Sequence, residues 1–299
     1  MSGAAYTRRR WLNNLMLGVT ALCAAVSASV LLAILGYIAW MGASSISWSF
    51  FTNLPAPVGE TGGGIANAIV GSAKVVGLAG LLGVPVGVLA GVYLAEYGRR
   101  GRFAFCVRYA ADVLNGVPSI VIGLFAYALI VRPMGHFSAF SGSVALAIII
   151  VPIVLRGTEE FLRLVPHTLR EAGLALGLPR WKVVMRVVLP TAGRGILTTS
   201  LLALSRAAGE TAPLVFTAFG NRFWEQSTPL FSVGGARVSD LGYRQPIATL
   251  PLTLYNYAIS PYEDWHRQAW AAALVLMLFV LAANLTARLW LKPSSGAAL

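Results

Sequence analysis

The sequence predicts an all-α integral membrane protein with six transmembrane helices. Of its 299 residues, 57% are hydrophobic and only 11% are charged, whereas soluble domains carry about 25% charged residues. The mean hydropathy is +0.71. So few charged side chains cannot cover the surface of a soluble domain of this length. The composition therefore excludes a soluble globular enzyme and favours several apolar helices joined by short loops.

Six apolar segments approach the roughly 20 residues that a helix needs to cross a bilayer. They span residues 15–41, 74–94 (or from about 65), 112–131, 142–155, 196–219 and 269–291. A cleaved signal peptide is the alternative for the first segment, but its apolar stretch is too long. The third and fourth contain glycine and proline, which membranes tolerate where neighbouring helices satisfy the freed backbone groups. We therefore expect a tightly packed bundle.

The distribution of arginine and lysine predicts the orientation. Sixteen of the twenty-three basic residues lie at the two ends, in the 2–3 loop or in the 4–5 loop. Because cytoplasmic loops carry the excess of basic residues, both termini are expected in the cytoplasm. The predicted organisation has tails at 1–14 and 292–299, one transmembrane domain at 15–291, a long cytoplasmic loop at 156–195 and an external segment at 220–268. The net charge of +12 thus indicates orientation and not nucleic-acid binding.

The motifs of several enzyme classes are missing from the sequence. No Gly-x-x-x-x-Gly-Lys-Ser/Thr element occurs, so the chain is not expected to hydrolyse ATP through a P-loop. The histidines at 136, 167 and 266 lack the spacing of metal ligands, and the two cysteines form no motif. We therefore predict no catalytic residue, no metal and no cofactor bound by this chain.

The cytoplasmic loop contains a short predicted helix at residues 168–176. Pro166 precedes it and Gly177 ends it. The small residues Ala172 and Gly173 would allow another surface to approach the helix backbone closely. A helix lying at the membrane surface with its arginines towards the headgroups is the alternative interpretation.

The spacing in this loop is Glu-Ala-small, three residues, Gly, nine residues and aliphatic-x-Leu-Pro, over residues 171–190. It resembles the EAA loop of ABC importer permeases, with Gly173 in place of alanine and Val187 in place of isoleucine. In that family the loop forms the coupling helix, which sits in a groove of a separate ATPase. The resemblance implies the type I ABC importer permease fold. It also implies ATPase coupling through Arg170, Glu171, Ala172, Gly173 and Gly177.

Two charged residues, Arg206 and Glu210, lie inside the fifth predicted span. They are four residues apart, so they share one face of a helix. A charge at this depth costs at least ~2.5 kcal/mol on insertion scales and should face the bundle interior or a wet cavity. Two interpretations remain open: an ion pair that fixes helix packing, or an anion site in which the arginine fork binds an oxyanion.

Three segments carry a narrower resemblance. Residues 205–214, 115–125 and 250–271 resemble the phosphate-specific transport (Pst) permeases, on the PstA side of the permease pair. This resemblance implies that Arg206 and Glu210 lie on the substrate pathway, where Thr211, Ser119 and Asn115 would add neutral hydrogen bonds. The alternative for Ser119 and Thr211 is a bond to their own backbone or to a neighbouring helix. The alternative for Asn115 is a cap on the helix that begins at Pro118.

The resemblance implies a permease subunit of an ATP-driven importer that moves inorganic phosphate by alternating access, in the bacterial inner membrane. It also implies a second, PstC-like permease, two PstB-like ATPase chains that use ATP and magnesium, and an external PstS-like phosphate-binding protein. The nearest alternative is the permease of another oxyanion importer, for sulfate, molybdate or phosphonate. A secondary carrier with Glu210 as a proton relay is disfavoured by the coupling loop. A membrane phosphatase lacks a supporting cluster of residues.

Overall fold

A computed structural model describes residues 3–57, 60, 62–98, 101–224, 229–233, 236–239 and 241–290. The predicted tail at 292–299 lies outside these residues. The described chain is almost entirely helical, which confirms the all-α prediction. Its α-helices are α1 (Gly3–Ala43), α2 (Trp48–Thr52), α3 (Ala66–Val92), α4 (Arg102–Gly116), α5 (Ser119–Ala126), α6 (Arg132–Met134), α7 (Ala139–Leu164), α8 (His167–Ala175), α9 (Arg180–Val183), α10 (Leu189–Ala208), α11 (Ala212–Thr217), α12 (Leu250–Ala258) and α13 (Glu263–Trp290).

Two features depart from plain α-helix. π-helical turns extend α3, α5 and α9, at Tyr93–Tyr97, Tyr127–Val131 and Val184–Val188. In the predicted external segment, β1 (Pro229–Val233) pairs antiparallel with β2 (Ala236–Ser239). This hairpin is the one sheet in the described ranges, and the hydropathy pattern did not predict it.

Six segments are long and apolar enough to cross a membrane, as predicted, if one bent pair of helices counts as a single span. Five are continuous: Thr7–Ala43, Ala66–Tyr97, Ala139–Leu164, Arg180–Ala208 and Glu263–Leu285. The sixth joins Arg102–Gly116 to Ser119–Met134 with a bend of 107°.

The third span is broken at a proline already noted in the sequence, and the fifth span is shorter than predicted. The third breaks at Val117 and Pro118, whose backbones are extended. The proline lacks an N–H group and forces the residue before it away from helical geometry. The fifth span ends at Ala208 and not at residue 219, because the chain leaves the helix at 209–211. Both breaks form part of the candidate functional site.

Other predicted bounds were also too short or too long. The fourth span continues from residue 155 to Leu164, and the fifth begins at Arg180, so the predicted loop 156–195 shrinks to residues 165–179. The described part of the predicted N-terminal tail is already helical, within α1. Charged residues ended the predicted spans because hydropathy counts each charge as unpaired, whereas many of these charges pair with one another.

Helices α3, α7 and α10 form the centre of the bundle, and glycine allows α3 and α7 to approach closely. Gly83, Gly87 and Gly91 are spaced four apart, so they face one side of α3. A Cβ at Gly87 would lie 2.7 Å from Val154 Cβ, and one at Gly91 would lie 2.6 Å from Thr158 Cβ. Small residues at such spacing let membrane helices pack backbone to backbone. This contact makes α3 and α7 a rigid wall for the elements around them.

A second cluster lies where α2, α12 and α13 meet the start of α3. Phe50, Ile65, Tyr257 and Trp265 are buried there. We refer to this as the α12 end of the bundle, and to the opposite end, where α7 turns into α8, as the α8 end.

A buried ionic cluster ties α4 to α7 near the α8 end. Glu159 is 2% exposed and accepts hydrogen bonds from Arg108 Nε at 2.7 Å, Arg156 Nη1 at 3.1 Å and Arg163 Nη2 at 2.5 Å. Arg156 also donates through Nε to Asp112 on α4 at 2.8 Å. Together these pairs satisfy the charges of an otherwise apolar helix and fix α4 against it.

Replacing Glu159 by glutamine tests this cluster. The change keeps the shape of the side chain but leaves three arginines without their shared anion. Removing one partner of a buried ion pair costs about 3–5 kcal/mol, and we expect about 3 kcal/mol because Arg163 is partly exposed. Thermal unfolding of the purified protein measures the change. The control is Glu160→Gln, an exposed neighbour on the same helix, and equal midpoints for the two variants would contradict the assigned role.

Candidate functional site

The two helix breaks meet beside the middle of α7. One break separates α4 from α5 at Val117 and Pro118, and the other separates α10 from α11 at residues 209–211. A Cβ at Gly123 of α5 would lie 2.7 Å from Pro213 Cα of α11. Glycine is therefore required for the close packing of the two short helices that follow the breaks.

A cavity of about 160 Å³ lies between these breaks. Ile149 and Ile153 of α7 form part of its apolar wall, and they lie near the midpoint of that helix. The cavity is thus at mid-depth of a predicted span. Its full lining is Leu114, Asn115, Val117, Pro118, Ser119, Ile122, Ile149, Ile153, Arg206 and Glu210.

Arg206 and Glu210 lie next to each other on the wall of this cavity, but they do not belong to one helix as expected. Arg206 is in the last turn of α10, whereas Glu210 follows the helix end, where its N–H donates to the carbonyl of Ala207 at 3.2 Å. Arg206 Nε and Glu210 Oε1 are 3.9 Å apart, beyond hydrogen-bond distance. The arginine side chain is 63% exposed and that of the glutamate 17%. Most of the guanidinium N–H groups therefore remain available to another partner.

The three neutral candidates occupy different positions. Asn115 is exposed near the end of α4, and Ser119 is the first residue of α5, and both line the cavity. Asn115 does not cap α5, because that helix begins after Pro118 without a side-chain cap bond. Thr211 precedes α11 and is not among the lining residues. The structure therefore brings four of the five predicted residues together and leaves Thr211 beside them.

The charges of this cavity suit an oxyanion. A guanidinium presents paired N–H donors that match two oxygens of a phosphate-like group. The N-terminus of α5, at Ser119, adds a partial positive charge. Glu210 supplies an acceptor for a proton carried by the anion. The cavity offers binding and orientation, and its residues form no nucleophile–base pair of the kind that bond cleavage requires.

Helix α8 forms the predicted coupling element, at His167–Ala175, one residue from its predicted bounds. Gly177 has φ +78°, a left-handed conformation that glycine adopts without strain. A Cβ at the buried Gly173 would lie 3.0 Å from Val183 Cγ2. The small residue at 173 therefore packs α8 against the next helix of its own chain, while Glu171 and Ala172 are exposed.

Arg170 points inward and fixes α8 to the bundle. Its Nη2 lies 2.7 Å from Oε1 of Glu96, which is 3% exposed in the π-helical turn after α3. The same side chain donates to the carbonyls of Leu162 at 2.8 Å and Val165 at 2.6 Å. Arg180 donates to the carbonyl of Glu96. Arg170 therefore acts as a positioning residue for the helix.

Sequence reasoning missed the two buried carboxylates, Glu96 and Glu159. For Glu159 a signal was present, since Arg156 and Arg163 are three and four residues away and share its face on a helix. For Glu96 no local signal existed. Its partner Arg170 is 74 residues away, and only the fold brings them together.

Comparison with known proteins places this geometry in a family. The model of the binding-protein-dependent transport system inner membrane component matches residues 83–292. A relative from Xylella fastidiosa (strain Temecula1), named phosphate transport system permease protein PstA, is 45% identical over 95% of this chain and 93% of its own. One of the same name from Haemophilus influenzae is 44% identical over 95% of each chain.

A solved structure supports the fold independently of close sequence similarity. The MetNI methionine ABC transporter, in an inward-facing conformation, aligns with a TM-score of 0.58 at 17% identity, over 76% of this chain and 96% of that chain. This likeness confirms the type I ABC importer permease fold. The chain belongs to the inner membrane components of binding-protein-dependent transport systems, and within them to the PstA permease family.

Proposed function

We propose that this chain is a transmembrane permease subunit of an ATP-driven importer, and that it moves inorganic phosphate into the cytoplasm by alternating access. The observation that carries this proposal is the placement of Arg206 and Glu210 in one cavity at mid-depth of the bundle. The relatives named as phosphate transport permeases support the choice of substrate.

The pair of opposite charges favours a protonated oxyanion. Arg206 donates N–H groups to two phosphate oxygens, and Glu210 accepts the O–H of hydrogen phosphate. Asn115 and Ser119 add neutral hydrogen bonds from the opposite break. Sulfate at neutral pH carries no proton, so its oxygens would face the Glu210 carboxylate without a hydrogen bond. The same argument disfavours molybdate, while a phosphonate importer would keep both interactions.

The exposure of Arg206 indicates a second permease subunit. A guanidinium that is 63% exposed at the depth of a membrane span costs at least ~2.5 kcal/mol unless another surface covers it. We infer that a PstC-like permease covers this face and completes the substrate pathway. The cavity then lies between two subunits.

The exposed residues at the C-terminal end of α8 fit an ATPase partner. Leu174 and Leu176 are 49% and 81% exposed, next to the exposed Glu171. We infer that two PstB-like ATPase chains bind ATP and magnesium and hold this surface in a groove. The α8 end and both termini would then be cytoplasmic, in the inner membrane. An external PstS-like protein would deliver phosphate at the α12 end.

A chain of hydrogen bonds links α8 to the cavity. Arg170 of α8 binds Glu96, and Arg108 of α4 donates to the carbonyls of Leu94 and Gly98, on either side of it. Helix α4 ends at the cavity with Asn115. Movement of α8 by the ATPase would therefore displace α4 and the wall it forms, which provides a physical basis for alternating access.

Arg206→Gln tests the substrate site. Loss of the guanidinium removes the cation that holds the anion, so phosphate uptake by the reconstituted complex should fall at least about a hundredfold, while the subunits still assemble. The control is Arg194→Gln, an exposed arginine on the same helix away from the cavity. Uptake of radiolabelled phosphate into proteoliposomes measures both. Normal uptake by Arg206→Gln would refute the role given to this residue.

Cysteine crosslinking tests the coupling surface. Cys23 and Cys106 are both free and exposed, so they are first replaced by serine. Leu174→Cys should then form a disulfide with a cysteine placed in the groove of the ATPase, in a complex that retains uptake. Leu202→Cys, exposed on α10, should not react. Gel electrophoresis without reductant detects the product, and its absence from an active complex would count against the coupling assignment.

A further inference from the structure

A larger cavity, of about 230 Å³, lies at the α12 end of the bundle. It takes no part in the Arg206 site. In the part of the chain that the structure describes, its lining includes five residues with amide or hydroxyl groups and one cation, but no carboxylate. These polar residues are Asn67, Asn221, Arg222, Thr253, Asn256 and Tyr257. We call it the outer cavity.

Arg222 is held in place without using its hydrogen-bond donors. Its guanidinium carbon lies 4.6 Å from the centroid of the Trp265 ring, a cation–π contact. The Trp265 ring in turn packs on Tyr257, with centroids 5.1 Å apart. Within the described ranges Arg222 has no carboxylate partner and no hydrogen bond. Its N–H groups are therefore available at the cavity.

Two largely buried side chains that carry hydroxyl groups border the same space. Thr253 and Tyr257 are four residues apart on α12, so they share a face, and they are 8% and 4% exposed. Neither hydroxyl forms a hydrogen bond with another residue in the described part of the chain. Both are therefore placed to bind a polar ligand that enters the cavity.

The loop that carries Arg222 is fixed by an unusual turn. Phe219 has φ +61°, a left-handed conformation that non-glycine residues rarely adopt, and Gly220 follows at φ +89°. The buried Asn67 donates through Nδ2 to the carbonyl of Asn221 at 2.8 Å. Strain of this kind persists where the surrounding structure holds it and often marks a functional site. Arg222 therefore sits on a preorganised loop.

Helix α11 is the segment of chain between the Arg206 cavity and the outer cavity. This helix has six residues, a rise of about 9 Å, and it connects the break at Glu210 to the turn at Phe219. An anion at Arg222 would thus be one short helix away from the inner site.

We propose that the outer cavity is a second binding site for a tetrahedral oxyanion, which receives the anion before it reaches Arg206. The identity of that anion as phosphate rests on the proposed function. Because no carboxylate among the described residues lines the outer cavity, we expect it to bind phosphate and sulfate alike, and only Glu210 at the inner site distinguishes them. A lipid phosphate headgroup offers the same chemistry, and the experiment must distinguish it from the free ion.

Equilibrium binding of radiolabelled inorganic phosphate to the assembled complex tests this proposal. The complex is placed in phosphatidylcholine nanodiscs without the external binding protein, and Arg206→Gln removes the inner site. We expect this variant to keep one phosphate site, which sulfate displaces. Adding Arg222→Gln should weaken that site at least tenfold, and adding Tyr257→Phe, which preserves the ring packing, should weaken it measurably. Adding the control Arg132→Gln, an exposed arginine elsewhere, should leave it unchanged.

Several outcomes would overturn the proposal. If Arg206→Gln abolishes all binding, the outer site does not exist, and the proposed function stands. The proposal would also be refuted if the phosphate binding that remains in Arg206→Gln is unchanged by both Arg222→Gln and Tyr257→Phe. A site present in detergent but absent in nanodiscs would be a lipid headgroup site. If Arg222→Gln leaves phosphate binding unchanged but weakens binding of the external protein when that protein is added in a separate measurement, the cavity is a protein contact and the proposal is refuted. Conversely, loss of all binding through Arg222→Gln alone would support the outer site and refute the role of Arg206.

Discussion

The relative position of Arg206 and Glu210 depends on the end of helix α10 between them. Helix α10 ends at Ala208, so the glutamate leaves the helix and the two charges stay 3.9 Å apart without a hydrogen bond. If the two side chains formed a hydrogen-bonded ion pair, the glutamate would neutralise the arginine and an anion would bind there only weakly. The α7 helix supplies an apolar wall on one side of the open pair, and the proposed second permease would cover the other. The position of the cavity and the need for a partner both follow from this geometry.

The buried carboxylates at the α8 end pair with arginines inside the apolar bundle. Charges left unpaired there would destabilise the bundle. Glu96 and Glu159 each bind arginines from other segments, and these contacts connect α8, α3, α4 and α7. The same pairs that stabilise the bundle thus form a continuous link from α8 to the cavity wall. Under the proposed function, the contacts that stabilise the bundle also transmit movement of α8 to the cavity.

Much of the architecture follows from local sequence signals. The apolar segments predicted six spans, and proline and glycine at 166 and 177 placed α8 to within one residue. The grouping of Arg206 and Glu210 with Ser119 and Asn115 was also expected. The end of α7 was predicted too early, because hydropathy treats Arg156 and Glu159 as unpaired charges. The break after Ala208 and the Glu96–Arg170 pair depend on contacts between distant segments, which no local pattern records.

The central claim is that Arg206 and Glu210 together select a protonated oxyanion for transport. The most direct measurement compares ATP-dependent uptake of phosphate and sulfate by the wild-type complex in proteoliposomes at neutral pH, with equal concentrations of the two anions in competition. We expect that phosphate is taken up and that an equal concentration of sulfate does not slow its uptake appreciably, since sulfate has no proton for Glu210. Uptake of sulfate at a comparable rate, or phosphate uptake that does not require ATP, would contradict it.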